Sequence, residues 1–188
     1  CRVEYWFTDL SDASLNSARD KFSDYPFVRF SIFNAEAAPE PQGLLPETFD
    51  VIIAANVVHA TTNIAEVLQR LHSLLHKHGD LLLWEATTPQ PWYSITFALL
   101  DGWQRFTDTS LRKRQPLLTV EQWTEILQQQ GFEAPAVFPQ PGSSRDVLGQ
   151  HAIVARRGRD SVSPKRSTPV SDLDTTAALS YEIAWRET

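Results

Sequence analysis

The chain has 188 residues, the length of one well-cored domain with room for a tail. Charged residues make up 21%, apolar residues 42% and the net charge is −6, so the composition is that of an ordinary globular protein and gives no reason to expect nucleic acid as a partner. A single cysteine, Cys1, excludes an internal disulfide and fits a cytoplasmic setting, no apolar run of about 18 residues would span a membrane, and the opening residues do not resemble a signal peptide.

Val3 to Thr8 is apolar and aromatic and stops at Asp9, which predicts a first strand. Ser11 or Asp12 can cap a helix running to about Phe22, with Leu15, Ala18 and Phe22 on one face. Tyr25-Pro26 breaks it, and Phe27 to Phe33 reads as a second strand. The Pro-rich stretch Ala37 to Pro46 reads as a loop. Phe49 to Ala55 is apolar on both faces, the pattern of a central parallel strand.

Asn63 with Glu66 resembles a capping box, and Ile64, Val67, Leu68, Leu71, Leu74 and Leu75 follow helical spacing up to Gly79. Asp80 to Glu85 is a fourth strand. Trp92 to Phe106 is predicted to be a helix over the sheet edge. Thr119 and Gln122 form a second capping-box pattern ahead of Val120, Trp123, Ile126 and Leu127, with Gly131 at the end. Ala136 to Phe138 and Gln150 to Ala155 are two more strands. The alternation predicts an open α/β sheet.

Ligands of such sheets bind outside the carboxyl ends of the strands, and Asp9, His59 and Glu85 fall at such ends. Asp9 is either a helix cap or an acceptor for the ribose hydroxyls of a nucleotide-like cofactor. If the strands before His59 and Glu85 are neighbours, Glu85 can accept a hydrogen bond from one ring nitrogen of His59, leaving the other as a general base; otherwise the two are separate polar residues satisfied by backbone. His72, His76 and His78 have a spacing that can serve zinc, but no carboxylate or cysteine completes a set, so solvated histidines and no metal are expected. Arg112-Lys113-Arg114 is either a solvated face or a receiver for a phosphate.

Several segments resemble the C-methyltransferase domains of type I polyketide synthases: Tyr5-Trp6-Phe7-Thr8-Asp9-Leu10-Ser11, Tyr25-Pro26-Phe27, Pro41-Gln42-Gly43, Ala54-Ala55-Asn56-Val57-Val58-His59-Ala60-Thr61, Leu82-Leu83-Trp84-Glu85 and Gly102-Trp103-Gln104-Arg105-Phe106. Leu117-Leu118-Thr119, Trp123 and Gly131-Phe132 continue the match, which covers about Val3 to Ala155; the Ala-Asn-Val-x-His-Ala-Thr motif is its most specific part. The resemblance implies a Rossmann-like class I methyltransferase sheet with flanking helices, S-adenosylmethionine as cofactor, and a β-ketoacyl chain on the phosphopantetheine of an acyl carrier protein as substrate. It implies that His59 removes the proton from the α-carbon, that Glu85 orients it, and that the enolate attacks the sulfonium methyl group. Asp9 matches the ribose-binding acid. Asn34 stands where the family often has Asp, near the adenine. Ala55 and Asn56 are carried over as pocket residues on the cofactor side, and Trp103, Arg105, Arg112 and Arg114 as substrate or carrier contacts.

The family's first strand and glycine-rich loop precede the Tyr-Trp-Phe-Thr-Asp segment, and no G-x-G motif occurs here. The chain also has no methionine. It is therefore expected to be a piece of a longer polypeptide: residues 1–155 the carboxyl-terminal portion of the methyltransferase domain, 156–178 a Ser-, Thr- and Pro-rich linker, and 179–188 the opening strand of a following domain, where Tyr181 to Arg186 resembles a ketoreductase structural subdomain. Neighbouring synthase domains are then partners. Two other readings stand beside this one: a non-catalytic methyltransferase-like scaffold within a synthase, and a free-standing small-molecule methyltransferase.

Overall fold

A computed structural model describes residues 3–97 and 103–158. The expected tail strand at 179–188, the linker beyond 158 and the middle of the helix expected over Trp92 to Phe106 lie outside the described residues. The rest falls into two compact units, 3–37 and 38–158.

In the first unit, β1 (Tyr5–Asp9) pairs in parallel with β2 (Val28–Ile32), and α1 (Asp12–Lys21) connects them. α1 buries Leu15 and Ala18, the stripe expected from its spacing. Around the strands, Phe7 meets Phe22 and Phe30 at ring-centroid distances of 6.1 and 5.9 Å, and Tyr25 meets Phe22 and Phe27 edge-on. These tilted and edge contacts suit the quadrupoles of the rings.

The second unit holds a four-stranded sheet in the order β3-β4-β6-β5, made by β3 (Phe49–Ala55), β4 (Leu75–Ala86), β5 (Phe132–Phe138) and β6 (Gln150–Arg157). β3 and β4 run parallel, joined through α2 (Ile64–Leu74); β6 is antiparallel to both β4 and β5. α3 (Pro91–Thr96) and α4 (Val120–Gln129) complete it. Leu81, Leu83, Ile153 and Ala155 share one buried face of the sheet, and the apolar stripes of α2 (Ile64, Val67, Leu68, Leu71, Leu74) and α4 (Trp123, Ile126, Leu127) are buried too. Each buried Leu, Ile or Val among these contributes about 1.5–3 kcal/mol.

Four expectations change. β3 is an edge strand of its sheet, not a central one, and its Val51 and Ile53 are exposed. α2 stops at Leu74 rather than running to Gly79. Leu75 turns extended, pairs with Phe49 and is buried, and Arg157 Nη1 donates to its carbonyl, so strand pairing outcompetes another helical turn. Between Leu75 and Asp80 the register with β3 shifts, and the residues looped out there include His78 at φ 65°. Gly79 serves this bulge and not a helix end: a Cβ on it would lie 3.0 Å from the carbonyl oxygens of Asp50 and His76. The helix expected over Trp92 to Phe106 reaches only Thr96 in α3, and Trp103 to Phe106 is not helical. Finally, β6 continues through Arg157, whose side chain is buried, so the linker does not begin at Arg156.

Candidate active site

Glu85 lies near the carboxyl end of β4 and is fully buried. The ladder places Ala55 opposite Trp84, and Asn56 N–H adds one more bond to the Trp84 carbonyl at 2.7 Å. Asn56 then takes φ 53°, a left-handed conformation that Asn tolerates better than most residues. That turn swings the chain over the end of β4 into a single 3₁₀ turn, Val58–Ala60. His59 therefore sits on a turn one step beyond the strand, not on the strand itself.

Both oxygens of Glu85 are engaged by this turn. Oε1 accepts from Val58 N–H at 3.1 Å, and Oε2 lies 2.5 Å from His59 Nδ1. A carboxylate only accepts, so the proton of the contact belongs to Nδ1 and the lone pair of the neutral ring stands on Nε2. The His59 side chain keeps 11% exposure. The ring of Trp103 stands edge-on to it, centroids 6.3 Å apart at 73°. Trp103 in turn stacks on Phe97 at 5.5 Å and packs with Tyr93, Ala86 and Leu117. The arrangement is a largely buried imidazole, its Nδ1 held by a buried carboxylate, beside an aromatic wall.

Asp9 and Asn34 belong to the first unit, where they share the carboxyl edge of its parallel strands. Asp9 ends β1, and its carbonyl accepts from Phe33 N–H one residue before Asn34. Asp9 Oδ1 accepts from Ser11 N–H at 2.8 Å, which leads the chain into α1, while Ser11 makes no side-chain cap. Asn34 Oδ1 accepts from Glu36 N–H at 2.9 Å. Ala55 and Asn56 are exposed at the end of β3.

The basic run divides. Lys113 and Arg114 are exposed, as is Arg105. Arg112 is not on a solvated face: it is 2% exposed, because Asp108 four residues earlier and the carbonyls of the His59 turn take up its guanidinium. The phosphate or carrier contact expected of Arg112 is thereby corrected. Of the three histidines, His76 and His78 are exposed, whereas His72 packs edge-on against Phe132 at 5.1 Å. Among the described residues no group of three or more His, Cys, Asp or Glu side chains could hold a metal ion.

Two features escaped the sequence. The Asp108–Arg112 pair carried the i,i+4 spacing of a helical ion pair, which was a usable signal. His151 had none: it lies opposite Glu85 on β6, is 1% exposed, and sets Nδ1 2.6 Å from Thr87 Oγ1, with Nε2 3.2 Å from Asp146 Oδ1 but not aligned for a hydrogen bond.

Residues 1–81 match the model of a methyltransferase domain family. A non-reducing polyketide synthase of Stereocaulon alpinum is 38% identical over 152 residues, 81% of this chain and 6% of that protein. Among solved structures, the CurJ carbon methyltransferase is 40% identical with a TM-score of 0.78, over 82% of this chain and 42% of that one. The trans-methyltransferase CalH, in complex with SAH, is 29% identical with a TM-score of 0.73, over 82% of this chain and 43% of that one. The chain thus spans a small fraction of that synthase and less than half of either of these two solved chains. The likeness to these structures is that of a class I methyltransferase, Rossmann-like fold.

Proposed function

Because this chain belongs to the C-methyltransferase domains of polyketide synthases, we propose that it serves S-adenosylmethionine-dependent methylation of the α-carbon of a β-ketoacyl chain, presented on the phosphopantetheine arm of an acyl carrier protein within a cytoplasmic multidomain synthase. The observation that carries this reading is the 2.5 Å contact of His59 Nδ1 with the fully buried Glu85. It leaves Nε2 as a proton acceptor of fixed direction.

The donor set suits the cofactor. S-Adenosylmethionine, when bound, supplies a methyl group as an electrophile. Asp9 uses one oxygen on Ser11 N–H, and a carboxylate has further acceptor sites for ribose hydroxyls. The Asn34 side-chain carbonyl can take a second donor, the adenine amino group, beside Glu36 N–H. In the second unit, Ala55 and Asn56 are exposed at the end of β3 and would serve as pocket residues there. On the substrate side, the α-proton lies between two carbonyls and is acidic enough for an imidazole. Nε2 takes it, the C–H electron pair passes into the enolate, and Glu85 stabilises the imidazolium that forms. Trp103 would flank the reacting acyl group, and the exposed Arg105 and Arg114 would meet the carrier or its phosphate.

In the full-length polypeptide, His59→Ala should lower methyl transfer by about 10²–10⁴-fold, the usual worth of a general base, while cofactor binding stays intact. Methylation of a carrier-bound β-ketoacyl substrate and cofactor titration read the two effects. Full activity in the variant overturns the reading.

A further inference from the structure

Glu85 fixes the ring of His59, but a ring is only as well placed as the backbone that carries it. His59 rides on a single 3₁₀ turn, Val58–Ala60, followed at once by the start of α2. One turn cannot satisfy all its carbonyls. That of Val58 accepts from Thr61 N–H and Oγ1, but those of His59 and of Thr61 and Thr62 just after the turn are taken up by one side chain from elsewhere in the sequence. Arg112 Nη1 donates to the His59 carbonyl at 2.8 Å, and Nη2 donates to the Thr61 and Thr62 carbonyls at 2.8 and 3.0 Å.

The guanidinium is itself held. Its Nε donates to Asp108 Oδ1 at 2.6 Å, and its plane lies over Phe106, 5.0 Å from the ring centroid. Asp108 Oδ2 reaches the same loop from the other end, accepting from Ile64 N–H at 3.1 Å, the first helical residue of α2. Thr107 adds its N–H and hydroxyl to the Thr62 carbonyl at 2.8 and 3.2 Å. Residues 107–112 thus stitch residues 59–64 along their length, and the stitching converges on the one side chain of this segment that can do proton chemistry.

From this geometry we infer that Arg112, braced by Asp108, is a positioning residue for the base: it holds the main chain of His59 while Glu85 holds its ring. The inference rests on His59 acting as the general base. Only a guanidinium fits the task. Its donors form a rigid fork that spans three carbonyls and a carboxylate at once, where the ammonium of Lys is a point donor. Arg112 is buried, and its Nε, Nη1 and Nη2 are all engaged by protein acceptors. It acts through His59.

The test uses the full-length polypeptide with Arg112→Lys, Asp108→Asn and His59→Ala. In Arg112→Lys the loss should fall on kcat, about 10- to 100-fold, the order expected from a displacement of roughly 1 Å. KM for the carrier-bound substrate and the Kd of S-adenosylmethionine should stay within about twofold, since uniform binding is untouched. The pH profile should change shape. The variant should gain more from rising pH than the parent does, because solvent hydroxide does what the displaced base no longer does. Asp108→Asn, which keeps an acceptor for Ile64 N–H, should move kcat in the same direction by less, and stands in if Arg112→Lys fails to fold. Loss shared equally by kcat, KM and cofactor affinity would mean a general folding role and overturn the inference. So would parental kcat and pH profile in both Arg112→Lys and Asp108→Asn when His59→Ala is inactive. Full activity in His59→Ala overturns instead the assignment of the base.

Discussion

Glu85 does two jobs with one carboxylate, and the division decides what each substitution there should do. One oxygen ties down Val58 N–H and so the start of the turn; the other orients His59. In Glu85→Gln the amide keeps the shape. Its oxygen can still accept from Val58 N–H, which turns the NH₂ group toward Nδ1. A donor facing Nδ1 selects the other tautomer, with the proton on Nε2, and that ring cannot act as a base. Methyl transfer should therefore fall about 10³–10⁴-fold with the fold intact, the size seen where a triad acid becomes an amide. Glu85→Ala should add a stability loss, because it strands the buried Val58 N–H, at about 1–3 kcal/mol. Turnover and chemical denaturation measured side by side separate the two effects. A glutamine variant with parental kcat would show that the 2.5 Å contact orients nothing the reaction needs.

The helices are where local sequence rules and tertiary structure can be compared most directly. Thr119 and Gln122 form the reciprocal box that their spacing predicts, Thr119 Oγ1 accepting from Gln122 N–H and Gln122 Oε1 from Thr119 N–H. Asn63 caps α2 by accepting from Glu66 N–H, but Glu66 returns to the Asn63 side chain and not to its backbone. Thr119→Ala should cost about 1 kcal/mol of stability, read from the denaturation midpoint. The loss has a pH signature. Glu121, in the first turn of α4, is held below the usual carboxyl range by a backbone N–H first and by the Thr119 hydroxyl second. A carboxyl depressed by folding stabilises above its unfolded value, and that stabilisation fades as pH falls through the lower folded value. The gap between parent and Thr119→Ala should narrow in acid; a constant gap would detach Glu121 from the cap. Caps were legible because they are written within four residues. The end of α2 was not. Leu74 and Leu75 both fit helical spacing, and only the pairing of Leu75 with Phe49, a partner remote in sequence, turns the chain into β4. The His59–Glu85 pair was legible for the opposite reason: two apolar runs joined by one helix make a parallel neighbour pair, so residues just past their ends must meet. Arg112 lies far along the chain from the carbonyls it binds, and a basic run alone carries no direction.

At the scale of the whole molecule, the four-stranded sheet has two unlike faces, and adjacent residues of β4 report on them. Strand alternation sends Leu81, Leu83 and Glu85 to the face where the apolar stripes of the helices are buried, and Leu82 and Trp84 to the other. Leu83 is 0% exposed and Trp84 43% exposed. Across the ladder Ile53 pairs with Leu82 and Ala55 with Trp84, so the same face carries Ile53 and Val51 of β3, at 56% and 53% exposure. A run of apolar residues on β3 looked like burial on both sides, yet composition alone does not say how many layers cover a sheet. Substitution should expose the asymmetry. Leu83→Ala opens a cavity in the core and should cost about 2–5 kcal/mol. Ile53→Thr combined with Trp84→Thr removes side chains that already face water and keeps β-branched residues in the strands, so stability should move by no more than about 0.5 kcal/mol per site. The pair should instead weaken binding of a hydrophobic dye, because contiguous exposed apolar surface is what such a dye reads. Equal destabilisation by the threonine pair and by Leu83→Ala would mean that the Ile53–Trp84 face is packed as tightly as the core.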